Sequence, residues 1–181
     1  MNKLLINIFG GPNIGKTTAA SDLFTELKKN HIEVELVSEF AKEVVIEGRV
    51  DALQHQWYIT GTQAYRIHTA YRCMTVTLTD SPILLGPIYD ADTSPALLAL
   101  SLEHHAKYNN LNVVLSRNPD YEHSMAGRVH SLTESVSIDN RIVRFLDDHD
   151  IPYLMYGEFG KDRVVSLILR QLYGRQPENY T

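Results

Sequence analysis

The octet Gly10-Gly11-Pro12-Asn13-Ile14-Gly15-Lys16-Thr17 constrains the fold of this chain more than any other stretch, because it satisfies the pattern G-x-x-x-x-G-K-[ST]. It follows an apolar run, Leu4 to Phe9, that reads as a buried strand, and Thr17 to Phe24 opens a helix. A glycine-rich turn between a strand and a helix lets successive backbone N–H groups converge on phosphate oxygens, and the positive end of the helix dipole adds to the attraction. Gly10, Gly11, Pro12, Asn13, Ile14, Gly15, Lys16, Thr17 and Thr18 are therefore the candidate phosphate cradle of a nucleotide. Within it Lys16 is expected to contact the β- and γ-phosphates of ATP and the Thr17 hydroxyl to hold Mg²⁺.

Beyond the loop, helical and strand periodicities alternate. Ala20, Leu23, Phe24 and Leu27 define one helix face, and Glu33 to Val37 alternates as a second strand, after which a short helix runs to about Gly48. Glu39 then lies at the carboxyl end of strand two, the rim where open α/β sheets bind ligands, although a charge at a helix start explains its position equally well. From Asp51 to about Met74 a long helix is predicted, with Leu53, Trp57, Thr60, Ala64, Ile67 and Tyr71 as its stripe. Its amides Gln54, Gln56 and Gln63 are candidates for reading a nucleobase edge, with Trp57, Tyr58 or Tyr65 stacking on its face and Arg66 and Arg72 as cations.

Thr75 to Asp80 predicts a third strand closed by an acid, the usual place for the carboxylate on the Mg²⁺ side, and Ser81-Pro82 follow. Ile83 to Tyr89 is apolar, and Ser94-Pro95 starts a helix to about Tyr108. Leu111 to Ser116 is the fourth strand. A polar stretch from Arg117 through Gly127-Arg128 to Thr133 reads as a lid whose arginines, Arg117 and Arg128, neutralise a transferring phosphoryl group. Ile138 to Leu146 marks another helix, Pro152 to Tyr156 the fifth strand, and Val164 to Leu172 the last helix. The expected organisation is one domain over residues 1–174, with the lid at about 117–133, and a polar tail over 175–181.

At 181 residues the chain suffices for one full core, and its net charge of −5 supplies no general attraction to nucleic acid, so a DNA partner would need a local basic patch. Arg66, Arg72, Arg117 and Arg128 are the candidates for that patch, all expected on or near the rim that carries Glu39. No apolar run approaches the ~18 residues of a membrane span, so the expected setting is cytoplasmic, the host cytoplasm for a viral chain, with no membrane partner. Cys73, the single cysteine, is expected as a small buried side chain, and a homodimer is left open. The histidines, His104-His105 and His123 with His130 among them, lack the spacing of a structural zinc site.

The alternation predicts an α/β three-layer sandwich around a five-stranded parallel sheet. The order of parts resembles the deoxynucleoside and thymidylate kinase group, which implies a P-loop NTPase, nucleotide kinase-like fold. The resemblance implies Glu39 as catalytic base, Gln56 or Gln63 as base reader, and Arg117 and Arg128 as lid arginines. The group's acidic-Arg pair after strand three is here Asp80-Ser81-Pro82. The segments Ser38 to Val45, Gln56 to Ile59 and Thr79 to Leu85 are similar to small phage-type kinases, some of them like 5-hydroxymethyluracil DNA kinases. This implies transfer of the ATP γ-phosphoryl to a hydroxyl of a nucleobase, nucleoside or nucleotide, with hydroxymethylated DNA among the acceptors. Other P-loop classes fit less well: a GTPase would carry N-K-x-D where Arg117-Asn118-Pro119-Asp120 stands, a remodelling ATPase needs an added helical lid domain, and a nucleotide sensor keeps the loop but loses the base.

Overall fold

The computed structural model of the chain describes residues 3–90, 94–117 and 132–173. Five strands, β1 (Leu4–Phe9), β2 (Val34–Val37), β3 (Val76–Thr79), β4 (Asn110–Val114) and β5 (Leu154–Met155), form one sheet in the order β2-β3-β1-β4-β5. Every pairing is parallel. Parallel strands need crossovers, and these are supplied by α1 (Lys16–Lys29), α2 (Phe40–Ile46), α3 (Gln56–Cys73), α4 (Leu85–Tyr89), α5 (Pro95–Ala106) and α6 (Leu132–Asp148), while α7 (Tyr156–Tyr173) follows β5. β1 is buried along its whole length, as expected of a strand covered on both faces. One face packs Ile6, Ile8 and Leu78 against Leu23 and Leu27 of α1 and Ile168 of α7. On the other side Phe9 and Val114 meet Ile142 and Leu146 of α6, and Leu5 meets Ile67 of α3.

Because all strands run the same way, their carboxyl ends share one rim. The chain leaves β1 through α1 to the β2 side of the sheet and returns across β1 between β3 and β4, so the switch in winding direction brings the loops after β1 and β4 together.

Several expectations shift. The long helix is interrupted: Val50–Gln54 is a 3₁₀ turn, and α3 begins only at Gln56. Its buried face is Ile59, Thr60, Gln63 and Ile67, while Trp57, expected in the stripe, is 68% exposed. α6 begins at Leu132, inside the span read as lid; residues 118–131, Arg128 with them, lie outside the described residues, as does the tail from 174. β5 is two residues long, and Tyr156 already belongs to α7. Cys73 is exposed rather than buried, because it ends α3 beyond the face that packs on the sheet. Among the described residues no helix is long and apolar enough to cross a membrane, and no group of three or more His, Cys, Asp or Glu could hold a metal ion.

His105, buried near the end of α5, has its pKa pushed down to about 4 from 6.5 by desolvation. A depressed histidine stabilises the fold above its unfolded pKa, and that contribution is lost as pH falls from about 6.5 through about 4. Urea unfolding at pH 7 and pH 4.5 should therefore show a loss in wild type that His105→Leu reduces by ~1–3 kcal/mol. Identical pH slopes in the two proteins would contradict this role.

Candidate active site

The loop after β1 curls because two residues enter the left-handed region, Asn13 at φ 65° and Gly15 at φ 96°. Asparagine tolerates that conformation, and glycine adopts it without strain. A Cβ at Gly15 would meet nothing within 4 Å, so the backbone turn rather than crowding calls for glycine there. α1 then starts with no side-chain cap and no acid in its first turn, leaving its N–H groups available to an anion.

Lys16 bends back over the loop, its Nζ donating to the carbonyls of Gly10 (2.8 Å) and Gly11 (3.0 Å). Desolvation lowers its pKa; the carboxylates of Glu39, Asp80 and Asp139 act in the opposite sense, and Arg117 lowers it further. One ammonium after β1 thus senses side chains that follow β2, β3 and β4. The Thr17 hydroxyl donates to Asp80 Oδ2 at 2.7 Å. Asp80 is 2% exposed, and its Oδ1 has no hydrogen-bond partner among the described residues. A hydroxyl paired with a buried carboxylate that keeps one oxygen free is a donor set suited to Mg²⁺, which takes few protein oxygens and fills its shell from phosphate and water.

Glu39 follows β2 directly after Ser38, with extended backbone at the start of α2, and its side chain makes no capping bond. Burial pushes its carboxyl pKa up, Lys16 pulls it down, and Asp80 raises it again. β3 separates β2 from β1, so Asp80 stands between Glu39 and the phosphate loop. Gln63 sits behind this acid. Its carbonyl accepts from Phe40 N (3.0 Å), and its amide donates to Ser38 O and Thr79 Oγ1, both at 3.3 Å. These bonds commit the side chain expected to read a base to fixing the backbone on either side of Glu39.

The other expected base-side residues stand apart. The Gln56 amide donates to Leu53 O at 2.9 Å, within its own segment. Both forks of Arg66 bind Glu43, at 2.6 and 2.7 Å, with the guanidinium over the Phe40 ring. Tyr58 packs edge-on against Phe40, and Trp57 lies outside against Tyr58. Arg72, expected near the rim, is instead in the last turn of α3, where its carbonyl meets the Lys3 ammonium ahead of β1, at the opposite end of the sheet. A helix antiparallel to its strands carries its two ends to opposite rims, which a helical wheel does not display.

Two site residues had no motif to reveal them. Asp139, on α6, accepts from Gly11 N at 2.7 Å through Oδ1 and from Arg117 Nε at 2.7 Å through Oδ2. Arg117 also donates to Pro12 O at 2.9 Å. A Cβ at Gly11 would lie 2.6 Å from Asp139 Oδ1 and 2.8 Å from Ser135 O, so only glycine permits this approach. Tyr89, on α4, has its hydroxyl pKa raised first by burial and then by the charges of Glu39 and Asp139. Asp139→Asn keeps an acceptor for Gly11 but loses the ion pair, and should cost ~1–3 kcal/mol in urea unfolding. A double-mutant cycle with Arg117→Ala should show coupling of at least ~0.5 kcal/mol; additive effects would mean that the pair does not act as a unit.

A family model described as an AAA domain matches residues 5–161. No curated protein matches the chain. Among solved structures, a NadR protein in complex with NR superposes with a TM-score of 0.67 at 12% identity, covering 99% of this chain but 53% of that one, so the chain spans about half its length. Thymidylate kinase from Ehrlichia chaffeensis gives a TM-score of 0.57 at 13% identity, covering 86% of this chain and 87% of that one. Deoxyadenosine kinase from M. mycoides, with products dCMP and dCDP, gives 0.53 at 16% identity, covering 94% of this chain and all of the other. The five-stranded parallel sheet flanked by helices is the P-loop NTPase kinase fold of these neighbours.

Proposed function

Because the chain belongs to the AAA domain family, we propose that its phosphate loop serves an ATP- and Mg²⁺-dependent kinase that phosphorylates a hydroxyl of a nucleoside or nucleotide. The observation that carries this reading is Glu39: a partly buried, uncapped carboxylate close enough to Lys16 and Asp80 for both to shift its pKa. A nucleotide-triggered switch or sensor needs the loop, but has no use for a desolvated carboxylate one strand away from it.

In the transfer, Glu39 takes the proton of the acceptor hydroxyl as that oxygen bonds to the γ-phosphorus. The bond from the γ-phosphorus to the bridging oxygen breaks, and ADP leaves with the electron pair. Lys16 neutralises charge on the phosphates, and Thr17 with Asp80 would hold Mg²⁺, which supplies further charge neutralisation when bound. Burial raises the Glu39 pKa, which makes the carboxylate a better proton acceptor, while Lys16 acts in the opposite sense. Arg117, held at the mouth of the loop by Asp139 and Pro12, supplies positive charge next to the phosphates.

A base within DNA, 5-hydroxymethyluracil included, is a second reading. Trp57 favours it, since an indole 68% exposed can stack on an unpaired base. Arg66, Arg72 and Arg117 do not form the basic patch that reading needs, because the first is paired with Glu43, the third with Asp139, and the second lies at the far rim. ADP formation should be followed with thymidine, deoxyadenosine, their monophosphates and hydroxymethyluracil-containing DNA, at low and moderate salt. Turnover with a free nucleoside or nucleotide that is insensitive to salt supports the first reading. Turnover with DNA alone, falling steeply as salt rises, moves the acceptor into nucleic acid.

A further inference from the structure

The parallel ladder between β2 and β3 ends at the pair Val37–Thr79. Both acids of the site lie beyond that last pair, Asp80 one residue past Thr79 and Glu39 two past Val37. Main-chain pairing therefore fixes neither, although a transfer that uses both carboxylates needs them held in one relative position. We propose that Gln63 and Thr79 are positioning residues, a side-chain clamp that continues the sheet past its last backbone pair and fixes Glu39 against Asp80. The effect of the clamp on rate rests on the kinase reading above, and the clamp itself on geometry alone.

The bonds form one closed set. Thr79 Oγ1 donates to Val37 O at 2.9 Å and accepts from Ser81 N at 3.1 Å. It also accepts one amide hydrogen of Gln63, the other going to Ser38 O, both at 3.3 Å. Gln63 Oε1 in turn accepts from Phe40 N at 3.0 Å. The hydroxyl thus uses its donor and both acceptor sites, and the amide both its hydrogens. What they hold is specific: Ser38 and Phe40 flank Glu39, while Thr79 itself and Ser81 flank Asp80. A fully satisfied buried network of this kind rigidifies the backbone it joins.

Neither side chain is placed for another task. Gln63 is 3% exposed and Thr79 is 0% exposed, which leaves no surface for a substrate. Phe40 opens α2, where a backbone N–H has no acceptor within its own helix, and Glu39 makes no capping bond. The acceptor comes from Gln63 instead, so the carboxylate of Glu39 is released from the capping task that its position would give it.

Amide hydrogen exchange by NMR, and label transfer from γ-labelled ATP to thymidine, deoxyadenosine and their monophosphates, test this on the full chain. Gln63→Met keeps the length of the side chain without the amide, Thr79→Val keeps the shape without the hydroxyl, and Thr79→Ser keeps the hydroxyl. The Phe40 amide should exchange at least about tenfold faster in Gln63→Met, and the Ser81 amide at least about tenfold faster in Thr79→Val, with Thr79→Ser near wild type. Label transfer should lose at least about tenfold in kcat in Gln63→Met and Thr79→Val, with acceptor KM within about threefold, and Thr79→Ser should recover it. Added to Glu39→Gln, Gln63→Met should slow transfer by less than about threefold further, because it acts through Glu39. Unchanged exchange at both amides overturns the clamp whatever the rates. An acceptor KM raised tenfold or more at unchanged kcat makes Gln63 a base reader, and full additivity with Glu39→Gln makes it a support of the fold alone; either result overturns the proposal. If Gln63→Met does not fold, the Thr79 variants decide, and equal rates in Thr79→Val and Thr79→Ser overturn it. Faster exchange in the variants together with a full rate in Glu39→Gln upholds the clamp and removes the base role of Glu39, so the two readings fail separately.

Discussion

Lys16→Ala is expected to lower kcat/KM for phosphoryl transfer by at least ~10²–10³-fold while leaving a folded protein. The magnitude follows from position. Lys16 Nζ already spans the mouth of the loop through the carbonyls of Gly10 and Gly11, and its charge is felt by carboxylates that follow β2 and β3. Its partners are carbonyls and carboxylates, not core side chains, so the sheet does not depend on it. Circular dichroism would report the fold, and steady-state ADP release the rate. Turnover within a few-fold of wild type in a folded variant would remove the phosphate loop from the chemistry.

Glu39→Gln carries a double signature. As the base that accepts the hydroxyl proton, Glu39 should contribute ~10²–10⁴ to kcat, with the KM for ATP nearly unchanged. Its folded pKa is raised by burial, so the ionised carboxylate is a burden on the native state. The stability it contributes is present below its unfolded pKa, near the ordinary 4.5, and is lost as pH rises through the folded value. The glutamine variant should therefore unfold at higher temperature than wild type at pH 8, with the gap closing toward pH 4. A slower but more stable enzyme is the expected outcome. A variant that is fast, or that loses stability equally at both pH values, would make Glu39 an ordinary surface charge.

Local chemistry made much of this site legible in the sequence. Gly15, Lys16 and Thr17 are required by backbone conformation and charge within eight residues, and Asp80 closes a strand whose alternation is plain. The structure adds a direct bond between Thr17 and Asp80, 63 residues apart in the chain. Gln63 shows where sequence reading stops. An amide on a helix beside aromatic residues is chemically able to read a base, and only the strand order shows that its partners are Ser38, Phe40 and Thr79. Asp139 was beyond reach for the same reason: it lies between Ile138 and Asn140 in an ordinary amphipathic helix, and its meaning comes from Gly11, 128 residues away. Trp57 departs from the predicted stripe because the face of α3 that packs is centred on Ile59 and Gln63, and Trp57, in the first turn of the same helix, falls outside it.

The most direct measurement follows the γ-phosphoryl group. With γ-labelled ATP, Mg²⁺ and the acceptor panel, label should appear on an acceptor hydroxyl in one-to-one ratio with ADP, and Glu39→Gln should slow that appearance while ATP still binds. Label recovered only as inorganic phosphate, at equal rates in wild type and Glu39→Gln and with no acceptor ever labelled, would contradict a kinase built on Lys16, Asp80 and Glu39.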